Sequence, residues 1–192
     1  MKSIKGVLFD LDGVFYMGSE LLPGGKRTLA WLRSQGIEYH FVTNNTTLSR
    51  SSLVAKLHHL GLDISENELL SANYACVLQL QKMGLDRCRL VLAEDAQADY
   101  PPSVEYDPDA IVIGDIGNKW DYDLLNTLMN QILEGAQLIA LHKGRYFQTD
   151  KGLMLDSGAF VSALEHATGK KAHVVGKPNA AFFEMGTALL KA

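Results

Sequence analysis

The feature that most constrains how this chain folds is an alternation. Short runs of branched apolar residues bounded by turn residues give way to segments of helical periodicity that end in glycine. Residues 4–10, IKGVLFD, read as a strand covered on both faces. Pro23 and Gly24-Gly25 then open a helix in KRTLAWLRSQG, where Leu29 and Leu32 recur at helical spacing and Gly36 closes the end in a left-handed conformation. A second strand, IEYHFVT, follows at once. The stretch LSRSSLVAKLHHLG repeats the helix-then-glycine pattern. In SENELLSANYACVLQLQKMG, residues 65–84, Ser65 and Glu68 stand at capping-box spacing before a long apolar stripe, which predicts a helix. The order β-α-β-α implies parallel strands joined by right-handed helical crossovers, hence a doubly wound α/β sheet with its ligand site at the C-terminal ends of the strands. Asp10 and Thr43 stand at two such ends.

From about residue 84 the rhythm continues in elements of its own: the strands RLVLA, AIVIG and QLIALH, a helix in WDYDLLNTLMNQILEG, and a helix after Ser157. These predict a second α/β unit between about Gly84 and Gly169. The strand AHVVG, Lys177 and a helix beginning at Pro178 then return to the first unit. No internal repeat or low-complexity segment interrupts the pattern.

Composition narrows the class of function. Of 192 residues, 47% are hydrophobic and 21% charged, as in a globular domain. The net charge is -4 and the longest basic block is Lys170-Lys171, which argues against nucleic acid or an anionic membrane as a partner. No apolar run approaches the roughly 20 residues that span a bilayer, and the N-terminus lacks a signal-peptide pattern, so a cytoplasmic setting is expected. Cys76 and Cys88 have no metal-ligand spacing and read as two buried thiols. His58-His59 lies on a predicted helix with no matching ligand and reads as structural.

Asp10 and Asp12, in VLFDLDGVFY, stand at i and i+2, so a strand continuing through both would point them to one side. Two carboxylates about 4 Å apart repel by roughly 4 kcal/mol at a protein surface, which calls for a cation or a shared proton. A divalent metal is the expectation, with Gly13 allowing a sharp turn whose N–H groups face an anion. Alone, D-x-D-G is equally an Asp-turn ending a strand. Its companions are VTNN at 42–45, which presents Thr43, Asn44 and Asn45 at a strand end, and Lys177 in VVGKPN. Each has a plainer reading, as a turn or as a solvated lysine. Together they converge on three strand ends.

DLDGV, VTNN and VVGKPN, in that order, resemble motifs one to three of the haloacid dehalogenase superfamily of phosphotransferases. The stretch from Ala140 to Pro178 looks more specifically like the branch of the phospholysine phosphohistidine inorganic pyrophosphate phosphatases, a subfamily IIA branch with a large C2-type α/β cap. The resemblance implies a Rossmann-like core, residues 1–83 with 172–192, and an inserted cap, residues 84–171. It implies Asp10 as the nucleophile attacking phosphorus, Asp12 as the acid and then base, and Mg²⁺ bound by the Asp10 carboxylate and the Asp12 main-chain carbonyl. Thr43, Asn44 and Asn45 would hold the phosphoryl group and Lys177 its charge and that of Asp10. The substrate would be a small phosphorylated molecule, and a homodimer is left open. In the cap, HKGRY, with Lys143 and Arg145, is a substrate-facing loop or an ordinary solvated one.

The family's fourth motif, a Gly-Asp followed by another Asp, is expected one helix and one strand after GKP, and the chain stops at Ala192. The expectation is a fragment of a longer protein, with weakened metal affinity and an apolar edge at VLFD. The alternative function is a phosphate-binding or interaction module without turnover. Neither G-x-G-x-x-G nor a P-loop pattern occurs, so a dinucleotide-binding reading is weaker.

Overall fold

A computed structural model describes residues 4–149 and 151–190; the extreme ends of the predicted core, residues 1–3 and 191–192, lie outside it. The elements in chain order are β1 (Gly6–Phe9), β2 (Tyr16–Met17), β3 (Glu20–Leu21), α1 (Gly25–Gln35), β4 (Glu38–Thr43) and α2 (Arg50–His59). There follow β5 (Leu69–Ser71), α3 (Ala72–Met83), β6 (Cys88–Val91), β7 (Ala110–Ile113), α4 (Tyr122–Glu134) and β8 (Gln137–Ala140). The remainder are β9 (Tyr146–Thr149), β10 (Gly152–Leu155), α5 (Ser157–Thr168), β11 (His173–Val174) and α6 (Ala180–Leu189).

Two parallel sheets organise the chain, as the alternation predicts. The first has the order β1-β4-β5 and the second the order β11-β8-β7-β6. Two antiparallel hairpins, β2–β3 and β9–β10, were not expected from the sequence, because two- and four-residue strands carry too little periodicity to register. The sheets share one apolar core in which Val42 and Leu70 of the first meet Leu90, Val112 and Ile139 of the second across Ala72, Cys76 and Leu80 of α3 and Phe182 of α6. On the other face of the first sheet, α1 and α2 cover Tyr39, Phe41 and Leu69. A third cluster holds α4 and α5 against Ile111, Ile113 and Leu138.

Four local readings differ from the structure. The segment after Ser65 is not one helix. Glu68 does bond back to the Ser65 N–H at 2.8 Å, but the box caps only the 3-10 turn Glu66–Glu68. Leu69 and Leu70 then pair with Phe41 and Val42, and Ser71 caps α3 anew. A short run of fully buried leucines satisfies a strand as well as a helix, and a free strand edge on β4 decides it. The strand AHVVG does not rejoin the first sheet: His173 and Val174 pair with Ile139 and Ala140 of β8, since the backbone of β11 finds its parallel partner there. Helix α6 starts at Ala180 rather than at Pro178, with the Asn179 side chain accepting from the Ala181 N–H. Strand β1 is half-buried rather than covered on both faces, because it is the outer strand of its sheet among the described residues.

Candidate active site

Strand β1 ends at Phe9, before either aspartate. The in-and-out alternation nevertheless continues: Asp10 and Asp12 are exposed, and Leu11 between them is fully buried. Leu11 belongs to the same cluster as Phe9, Phe15 and Phe41, whose rings meet edge to face at 5.3 Å (Phe9–Phe15) and 5.2 Å (Phe15–Phe41). Gly13, at φ 75°, lets the chain turn there, and the Val14 and Phe15 N–H groups bond back to the Leu11 carbonyl. The carboxylates therefore project from a loop whose underside is clamped by aromatic packing.

Three other segments converge on them. Lys177 Nζ lies 2.7 Å from Asp10 Oδ1 and donates to the Val42 carbonyl at 3.3 Å. Asp10 Oδ1 also accepts the Leu11 N–H at 2.8 Å, while Oδ2 has no partner among the described residues. Thr43 Oγ1 is 3.5 Å from Asp12 Oδ2 and accepts the Asn45 N–H at 3.0 Å. Tyr16, almost wholly buried, lies close enough that burial, reinforced by Asp12 and Asp10, pushes its hydroxyl well above the ordinary tyrosine pKa.

Asp12 and Lys177 open onto a cleft of about 930 Å³ lined also by Asn44, Asn45 and Thr46 after β4, Asp115 after β7, His142 and Lys143 after β8, and Asp156 before α5. Asp10 is not itself in the lining and meets the cleft through Lys177. The amide side chains are committed to protein. Asn44 bonds the main chain of Lys177, and Asn45 Oδ1 accepts the N–H groups of Thr47 and Leu48 at 3.1 and 3.0 Å, an Asx turn. Lys143 lines the cleft with its ammonium 2.6 Å from Glu165, whose side chain is nearly buried, so its charge is already matched. Arg145 is exposed outside the lining, its guanidinium 5.8 Å from the Tyr146 ring.

The sequence reading missed Asp115 and Asp156, and it took in His142 only as the first residue of HKGRY without giving it a task. His142 Nδ1 accepts the Gly144 N–H at 3.1 Å and lies 3.7 Å from Asp156 Oδ2. An Nδ1 that accepts leaves the proton of the neutral ring on Nε2. Asp115 directly follows the AIVIG strand, so the strand-end rule that found Asp10 and Thr43 would have found it too. Asp156 caps α5 by accepting the Ser157 N–H, one residue before the start that the sequence suggested.

Among the described residues no group of three or more His, Cys, Asp or Glu side chains is placed to hold a metal ion. Two exposed carboxylates with a free oxygen on Asp10 do suit Mg²⁺, a hard cation that keeps several waters and takes one or two carboxylates together with phosphate oxygens. Chemically, the arrangement gathers an oxygen nucleophile, a second carboxylate able to carry a proton, a hydroxyl and a fixed ammonium at the edge of one cleft, with the second carboxylate and the ammonium in its lining.

Comparison with known proteins places this architecture. The family model for haloacid dehalogenase-like hydrolases matches residues 7–104. The rat haloacid dehalogenase-like hydrolase domain-containing protein 2 is 39% identical over 180 residues, covering 94% of this chain and 69% of that protein. The human phospholysine phosphohistidine inorganic pyrophosphate phosphatase is 36% identical over 190 residues, covering 96% and 70%. The solved p-nitrophenyl phosphatase from Archaeoglobus fulgidus superposes with a TM-score of 0.89 at 27% identity, covering 98% of this chain and 75% of that one. The chain belongs to the haloacid dehalogenase-like hydrolases, and it is an enzyme of the hydrolase class.

Proposed function

We propose that the protein is a Mg²⁺-dependent phosphatase of small phosphate monoesters, phosphoamides or pyrophosphate, working through an aspartyl-phosphate on Asp10. The observation that carries this reading is the meeting of Asp10 and Asp12 after β1, Thr43 at the end of β4 and Lys177 after β11, and relatives named as phosphatases support it. Asp10 Oδ2 attacks phosphorus as the bond from phosphorus to the leaving oxygen or nitrogen breaks, and Asp12 delivers a proton to the leaving atom. Asp12 then takes a proton from water, which attacks the same phosphorus and releases inorganic phosphate and the Asp10 carboxylate. Lys177 and the Thr43 hydroxyl hold the charge of the transferring group. The Asp10 carboxylate and the Asp12 main-chain carbonyl would hold Mg²⁺, which when bound would supply positive charge to offset the repulsion between an anionic nucleophile and an anionic substrate. The two free, buried thiols suit a reducing compartment such as the cytoplasm.

The test is hydrolysis of p-nitrophenyl phosphate with and without Mg²⁺ by the chain and by Asp10→Asn. The expected outcome is Mg²⁺-dependent turnover that falls at least about 10³-fold in the variant. Equal rates would remove Asp10 from the mechanism, and phosphate binding without turnover would favour a non-catalytic module.

A further inference from the structure

Asn44 lines the cleft, yet its side chain is spent on the protein. Its Oδ1 accepts the Lys177 N–H at 2.8 Å and its Nδ2 donates to the Lys177 carbonyl at 2.9 Å. One primary amide thereby satisfies both main-chain groups of a single residue, as a neighbouring strand would. The partners are 133 residues apart, so the pair ties the loop after β4 directly to the loop after β11. Gly176 makes the approach feasible: a Cβ there would stand 2.6 Å from Asn44 Oδ1. From the backbone so held, the Lys177 side chain reaches 2.7 Å from Asp10.

From this geometry we propose that Asn44 is a positioning residue, whose side chain fixes the main chain of Lys177, so that the Lys177 ammonium meets Asp10, and is itself not spent on the phosphoryl group. The inference rests on the proposed function for its catalytic consequence, but its geometric content is measurable without turnover. A flexible four-carbon side chain locates its charge only as well as its backbone is located, and displacements of about 1 Å in such sites cost about 10²-fold in rate.

Two variants test it. Asn44→Ala removes both bonds, and Asn44→Asp keeps an acceptor for the Lys177 N–H but turns a second oxygen on the Lys177 carbonyl. The first measurement is the acylation rate of Lys177 by a succinimidyl ester, resolved by peptide mass spectrometry against Lys82, which is exposed on α3. Lys177 should react at least about threefold faster in both variants while Lys82 is unchanged, because a side chain no longer held against Asp10 by its fixed backbone is freer to swing out and meet the reagent. The second is a double-mutant cycle on p-nitrophenyl phosphate: Asn44→Ala should lower kcat about tenfold in the wild-type background and less than about twofold in Lys177→Ala. Unchanged Lys177 labelling in both variants overturns the proposal, and so does a full-sized Asn44→Ala effect that persists without Lys177. Faster labelling in a protein that hydrolyses no phosphate ester upholds the positioning role and discards only the phosphatase reading.

Discussion

Asp10 and Asp12 owe their position to Leu11, the buried residue between them, more than to the strand before them. The i, i+2 spacing was readable because burying one apolar side chain in the aromatic cluster turns both neighbours outward whether or not the strand continues. Thr43 and Lys177 were readable for a related reason, since strand ends in parallel sheets gather polar residues at one mouth. The tasks of Asn44, Asn45 and Lys143 were not, because a side chain's hydrogen-bond partner depends on which segments fold beside it: Asn44 is occupied by a residue 133 positions away and Lys143 by Glu165. Gly176 sharpens the point, since a Cβ there would meet both the Leu141 carbonyl and the Asn44 side chain, at 2.5 and 2.6 Å. Gly176→Ala is expected to cost about 1–3 kcal/mol, the typical penalty for forcing a methyl group into filled space. Urea unfolding reads this as a lowered midpoint at unchanged slope, and an unchanged midpoint would mean that the loop yields freely.

At the level of elements, glycine and capping signals located helix ends well and helix starts less well. Gly36, Gly84 and Gly169 each close a helix at positive φ, a conformation almost reserved for glycine, so these ends are written in the sequence. Starts were ambiguous because several polar residues competed, as with Ser65 against Ser71 and Pro178 against Asn179. Helix α5 carries a nearly buried carboxylate, Glu165, paired with Lys143. Burial raises the Glu165 carboxyl pKa, but the Lys143 ammonium and the Ala172 N–H outweigh it and leave the group below the usual glutamate range. A depressed carboxylate pKa contributes stability that is present above the unfolded value and lost as pH falls through the folded one. Glu165→Gln should therefore unfold more easily at pH 7, by about 1–2 kcal/mol, and lose part of the wild-type's steepening below about pH 4.5. Thermal melts of both proteins between neutral and acid pH measure this. Parallel curves would show that Glu165 does not carry the acid dependence.

Across the whole molecule, the doubly wound architecture followed from alternation alone, whereas the pairing of β11 with the second sheet did not. A two-residue strand has no pattern of its own, and only the assembled sheet shows that β8 offers its partner. The same assembly makes the site a product of both sheets. Lys177 reaches the loop after β1 from a strand of the second sheet, and Asp115 is tied to the loop after β4 through its N–H bond to Thr46 at 3.4 Å. The central claim is that this convergence makes Asp10 a covalent catalyst, and direct trapping of the intermediate tests it best. With p-nitrophenyl phosphate and Mg²⁺, acid quenching followed by peptide mass spectrometry should find one phosphoryl group on the peptide carrying Asp10. Because nitrophenolate departs without needing a proton, the adduct should accumulate further in Asp12→Asn, where water lacks its base, and be absent in Asp10→Asn. Turnover with no phosphoryl group on Asp10 in either wild type or Asp12→Asn, alongside an active Asp10→Asn variant, would contradict the account.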